Sequence, residues 1–196
     1  MNNIKYFTDK GLCEKIEKTG GFVMNEVMKN LLTRRSVRAF QKREIPREEL
    51  EQILQAALYA PSGMNRQTWK FTAIINQEKI QKLAEIVGTE LGREGYNFYC
   101  PSALIIPSNE KDSIWGKEDN ACALENIFLA AHSFGIGSVW INQLNDHLAE
   151  RPAVRAILKE FGIPDNHTVY GIAALGYPTT SNDKEVAKIG TFAIIE

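Results

Sequence analysis

Apolar residues first fall into a helical rhythm at Val27, Leu31 and Leu32, which predict a short amphipathic helix running into a group of arginines. The stretch IPREELEQILQAALYAPSG carries the strongest pattern. Leu50, Ile53, Leu54, Ala57 and Leu58 share one face. Pro46 suits the first turn, Glu48 and Glu49 favour its positive end, and Pro61, Ser62 and Gly63 stop it. WKFTAIIN then reads as a strand, and Ile80, Leu83, Ala84, Val87 and Leu91 as a second amphipathic helix. SALIIPS is a short buried strand. From Asp119 to Phe134 the chain is apolar almost all round, which predicts a central buried helix. GIGSVWINQL follows as a turn and strand. Val154, Ile157, Leu158 and Phe161 mark a last helix, ended by Gly162 and Pro164. HTVYGIAALGYP reads as one strand and GTFAII offers another. Helices and strands alternate, which predicts a three-layer α/β or α+β domain.

Residues 1–23 do not share this rhythm. They are rich in Lys and Gly, and read as an extension: either a translated upstream segment or an arm that packs on a partner. Residues 24–196 read as a single domain, with no repeat and no linker. The chain of 196 residues is long enough for one such domain with a real core. A net charge of −1 argues against a nucleic-acid or anionic-membrane partner, and no apolar run approaches the ~20 residues that span a bilayer. Cys13, Cys100 and Cys122 are scattered and odd in number, so they read as free, buried thiols in a reducing cytoplasm. His132, His147 and His167 are far apart in sequence, and no metal site is expected.

Three stretches carry candidate chemistry. RRSVRAF, Arg34 to Phe40, packs guanidinium groups around a serine, which suits phosphate oxygens; cations at a helix C-terminus would look the same. APSGMNRQTWKF, Ala60 to Phe71, offers a turn with backbone N–H groups beside Gln67 and Trp69; it would line a flat ligand, or simply end a helix. FGIGSVWINQL, Phe134 to Leu144, has two glycines that allow close backbone approach. It is not a dinucleotide fingerprint, because that would need Gly at Trp140 and the run leads into a strand. There is no Walker A run, nucleophile elbow or carboxylate pair. If the chain is an enzyme, a cofactor is expected to carry the chemistry.

In their order and spacing, RRSVRAF, APSGMNRQTW, ENIFLAAHSFGIGSVWINQL and a late ALGYP resemble the FMN-dependent nitroreductase family, over about Met24 to Glu196. The resemblance implies an α+β fold, a three-layer α/β/α sandwich around a small mixed, mainly antiparallel sheet. It implies that Arg34 and Ser36 grip the FMN phosphate, that Arg35 contributes at the same edge, and that Arg38 reaches the pyrimidine side of the ring. Pro61, Ser62, Gly63, Asn65 and Gln67 are implied to lie along the flavin from the other subunit of an intertwined homodimer. Asn142 and Gln143 are implied to turn backbone N–H groups toward its reactive edge. Lys188 in EVAKIGTF matches the family's C-terminal basic residue, with Lys184 as the alternative; the tail is shorter and less basic than the Pro-Arg-Lys run of many relatives. The implied activity is NAD(P)H-driven, ping-pong reduction of nitroaromatics, quinones or similar flat acceptors, with no catalytic side chain. Met64, Tyr96, Phe98 and Trp115 are either pocket walls or packing. Two alternatives stand beside this: other flavin chemistry on the same scaffold, such as dehalogenation or flavin breakdown, and a non-enzymatic flavin-binding module.

Overall fold

A computed structural model describes residues 25–180 and 187–195. The 1–23 extension and Lys184 lie outside the described residues. The chain divides into two compact units, one from Thr33 to Ser181 and one comprising the N-terminal part to Leu32 with the segment from Asn182 onward. The smaller unit contains most of helix α1 (Glu26–Thr33) and the described C-terminal residues. No residue of α1 is buried, and its apolar Val27, Met28 and Leu31 are exposed. Ile189, Phe192, Ile194 and Ile195 are exposed as well, and GTFAII does not form the expected strand.

In the larger unit the order is α2 (Arg47–Leu58), β1 (Trp69–Ile74), α3 (Gln77–Leu91), β2 (Ala103–Glu110), α4 (Gly116–Ser133), β3 (Gly137–Ile141), α5 (Asp146–Ala149), α6 (Pro152–Glu160), β4 (His167–Thr168) and β5 (Ile172–Gly176). Local signals set these limits. Asn76 caps α3 by accepting the Lys79 N–H, and Gly92 ends it in a left-handed conformation. The strands run β1-β2-β5-β3 with antiparallel pairing, and β4 pairs with β2. HTVYGIAALGYP is two strands rather than one. Gly171, at φ +112, separates β4 from β5, and a Cβ there would lie 2.3 Å from the Trp140 indole nitrogen. A bridge between Ser36 and Ser138 adds a parallel contact, so the small sheet is mixed.

Alternation along the central strands produces the layers. Leu104 and Ile106 of β2 join Ile80, Leu83 and Val87 of α3 and Val154 and Leu158 of α6 in one cluster. Ala103 and Ile105 point the other way, to Ile53 and Ala57 of α2 and Leu124, Ile127 and Ala131 of α4. Burying each large side chain in these clusters contributes roughly 1.5–3 kcal/mol.

The expectation for α4 needs correction. It begins at Gly116 and buries one face through Asn120, Ala123, Leu124, Ile127, Phe128 and Ala131, while Lys117, Cys122, Glu125 and Ser133 are exposed. Alanine and cysteine carry no polar mark, so the outer face read as apolar. Cys100 and Cys122 are free thiols but exposed, not buried.

Candidate functional site

Helix α1 ends at Thr33, and the arginine run follows it directly, outside its last turn. Arg34 to Phe40 is an extended segment laid beside the sheet. The Val37 N–H donates to the Ser138 carbonyl at 2.9 Å, and the Gln41 N–H donates to the Tyr177 carbonyl at 2.8 Å. Gly137 makes this docking possible, because a Cβ there would sit 2.7 Å from the Val37 side chain. Gly176 does the same under Phe40, at 2.9 Å. The glycine that the sequence marks for close approach is therefore approached by the arginine segment itself.

The seat so made is positive. Arg34 Nε is buried and lies 3.4 Å from the Glu125 carboxylate, yet it has no hydrogen-bond partner among the described residues. Its guanidinium lies 5.8 Å from the Phe128 ring centroid. Arg35 donates from Nη1 to the Arg34 carbonyl at 2.9 Å. Ser36 and Arg38 are exposed. His132, near the end of α4, lies 2.8 Å from Thr33 Oγ1. Burial, and then the charges of Arg34 and Arg35, hold its pKa below the usual histidine value, so the neutral ring is favoured.

The Pro-Ser-Gly turn is built differently. Gly63–Asn65 form one 3-10 turn, with Met64 and Asn65 both at φ 54, and Gln67 follows at φ 51. Left-handed conformations are uncommon for such residues and must be held by their surroundings. Ser62 Oγ accepts the Gln67 N–H at 3.2 Å, and Gln67 Nε2 donates to Asn65 Oδ1 at 2.8 Å. The Gly63 N–H donates to Asp119 Oδ1 at 2.8 Å. A Cβ on Gly63 would fall 2.2 Å from the Trp115 ring. Pro61, Asn65 and Gln67 are exposed, and Ser62 and Gly63 half-buried.

Helix α4 spaces the two features. Asp119 holds the turn near its start and His132 meets the arginines near its end. Thirteen residues at 1.5 Å each put them roughly 20 Å apart. The third stretch lies along β3: Ser138 bridges Ser36, and Asn142 comes four residues later, roughly 13 Å on. Asn142 is exposed and Gln143 half-buried. Trp140, between them and the arginine end, has its ring centroid 6.4 Å from that of Phe128.

A family model described as "Nitroreductase family" matches residues 31–99 and 97–177. The chain belongs to the nitroreductase family. Its relatives include a protein of Archaeoglobus fulgidus assigned as an NADH dehydrogenase/NAD(P)H nitroreductase, 34% identical over 82% of this chain and 90% of its own length. An NADPH-flavin oxidoreductase of Vibrio harveyi is 28% identical over 79% of this chain and 67% of its own. Among solved structures, a nitroreductase from Bacteroides fragilis with bound FMN is 44% identical, with a TM-score of 0.82, covering 88% of this chain and all of that one.

In this member of the family Arg34, Arg35 and Ser36 come together on one segment, the turn residues come together on another, and Asn142 and Gln143 follow β3. Lys188 is exposed in the smaller unit. Of the four side chains read as pocket walls or packing, Phe98 is core and Tyr96 is half-buried against it. Phe98 is fully buried, and Tyr96 packs edge-on against it with centroids 5.0 Å apart. Burial raises the Tyr96 pKa to about 12. Met64 and Trp115 are exposed beside the turn. Sequence reasoning missed Asp119, Glu125 and His132. The signal was available: acidic and amide side chains in EDNACALENIF interrupt an otherwise apolar helix.

Proposed function

We propose that the chain is an FMN-dependent oxidoreductase that uses NAD(P)H, in a ping-pong cycle, to reduce flat acceptors such as nitroaromatics and quinones. One observation carries the reading: a buried Arg34 Nε without a hydrogen-bond partner, beside Arg35 and Ser36, on a segment fixed to the sheet by its own backbone. The nearest carboxylate, that of Glu125, lies 3.4 Å off without a hydrogen bond, so the buried donor still calls for a well-placed acceptor. A phosphate-bearing cofactor supplies one, so the residues present fit FMN. The FMN bound by the 44%-identical Bacteroides fragilis structure supports the same choice. When bound, FMN would supply the hydride-accepting and hydride-donating chemistry.

The chain's own residues bind and orient. Arg34 and Ser36 hold the phosphate, and Arg35 adds charge at that edge. Arg38 stabilises negative charge on the pyrimidine side of the ring. The backbone N–H groups of Asn142 and Gln143 serve the reactive edge, and Lys188 is the candidate C-terminal phosphate contact. Pro61, Ser62, Gly63, Asn65 and Gln67 line the ring from a second copy. A homodimer is favoured because one α4 separates the arginines from the turn by roughly 20 Å. Two copies with their α4 helices antiparallel would bring the arginine end of one to the turn end of the other. Exposed Leu58, Tyr59, Met64, Ile114 and Trp115 near the turn give such a copy apolar surface to cover. We read residues 24–196 as one flavin-binding domain, 1–23 as an extension, and the protein as cytoplasmic.

The test is a visible spectrum of the purified protein followed by anaerobic titration with NADH and NADPH. A yellow protein bleached by either, and restored by a quinone or nitroaromatic, is expected. A colourless protein with no affinity for added FMN would contradict the reading. A yellow protein that neither nicotinamide bleaches would leave a flavin-binding module rather than an enzyme.

A further inference from the structure

Asp119 is a carboxylate only 3% exposed, in the first turns of α4. Keeping a charged group out of water is costly unless its bonds are good. Asp119 makes one: Oδ1 accepts the Gly63 N–H at 2.8 Å, while Oδ2 has no hydrogen-bond partner among the described residues. An acid retained at such cost has its value in what it holds. Here that is the first amide of a turn whose next two residues are left-handed at φ 54.

The surroundings leave the turn one position. Trp115, one helical turn before Asp119, covers Gly63 so closely that no Cβ fits. The Asp119 N–H in turn donates to the Trp115 carbonyl at 2.8 Å, tying the residue that caps α4 to its first turn. Further along the helix, Asn126 Nδ2 donates to the Ala56 carbonyl at 2.9 Å, so α4 also fixes the end of α2, from which the turn emerges. The turn is thus clamped at its first amide by a buried charge and on its face by an indole.

We propose that Asp119 is a positioning residue of the flavin site: its carboxylate sets the angle of the Pro-Ser-Gly turn, and through the turn the seating of the isoalloxazine ring, without touching it. The proposal rests on the FMN reading given above. Asp119→Asn keeps an acceptor at the same place and retains FMN affinity within about threefold. Asp119→Ala removes the acceptor, frees the turn, and weakens FMN binding well beyond that threefold. Asp119→Glu keeps the charge but moves it by a methylene, and behaves like the alanine variant.

The measurement is FMN dissociation by fluorescence titration of the full-length apoprotein, with steady-state kinetics at saturating FMN. Because the turn seats the ring rather than the nicotinamide, kcat falls in the alanine and glutamate variants more than KM for NADH or NADPH rises. Should Asp119→Ala fail to fold, the Asn and Glu pair decides the matter. Equal FMN affinity in the wild type and the Glu variant would overturn the proposal, and so would an Asn variant as weak as Ala. A wild-type protein that binds no FMN would instead sink the flavin reading itself, so the two failures are distinguishable.

Discussion

The two ends of α4 hold their functional segments by opposite means. At its C-terminal end the arginine segment is fixed by backbone bonds to β3 and by Val37 over Gly137, which leaves the guanidinium groups of Arg34 and Arg35 gathered beside Glu125 and His132. At its N-terminal end the turn is strained, carries one exposed cation at Arg66, and is held by one buried carboxylate and one indole. On the proposed flavin reading, charge does the binding at one end and geometry at the other. Changes at the arginine end should therefore be sensitive to salt, and changes at the turn end insensitive to it.

The largest effect is expected from Arg34→Ala. Loss of a charged hydrogen bond to phosphate should cost about 1.5–3 kcal/mol of FMN affinity. The deficit should shrink as ionic strength rises, because salt screens the Arg34 attraction that the wild type has and the variant lacks. Unchanged FMN occupancy at low salt would break the contrast between the ends. Gly63→Ala comes next. Its Cβ would meet the Trp115 ring at 2.2 Å, so the turn must shift, at an overpacking cost of about 1–3 kcal/mol in stability. FMN affinity should drop with it, by the same factor at low and high salt; thermal melts and FMN titrations in both conditions check this.

The smallest effect is one of pH. His132 has its pKa lowered by burial and by Arg34 and Arg35, and His167 has its lowered chiefly by burial. The unfolded chain therefore takes up these protons first, near pH 6.5. Stability should be flat above that pH and fall as the pH drops from about 6.5 toward the depressed folded values. His132→Gln should remove its share of that slope and leave the part due to His167. Denaturant midpoints between pH 5 and 8 measure it.

Much of the fold could be read from the pattern of side chains. The apolar faces of α2, α3 and α6 are buried at Leu50, Ile53 and Ala57, at Ile80, Leu83, Ala84 and Val87, and at Val154, Ile157 and Leu158. Apolar period reports what faces a core, and those helices have one core face each. It failed for α4 because Ala121, Cys122 and Ala130 are small enough to suit either water or a neighbour. It left Tyr96 and Phe98 open between packing and pocket wall, because an aromatic beside a turn looks the same from sequence whether it packs inward or lines a cleft. The arginines and the turn could be recognised from residue type and order. That they stand at opposite ends of one helix could not, since it depends on which strand the Arg34 segment joins. Asp119 went unseen because its value lies in a bond to a residue 56 positions away.

The central claim is that each flavin site takes its arginines from one chain and its turn from another. It is tested by co-expressing an Arg34→Ala chain with a Gly63→Ala chain, isolating the mixed dimer by two tags, and counting bound FMN. Shared sites leave one crevice with both native parts, so the mixed dimer should bind one tightly held FMN per two chains and regain half of the wild-type activity. A mixed dimer as depleted of FMN as its two parents would mean that each chain builds its site alone.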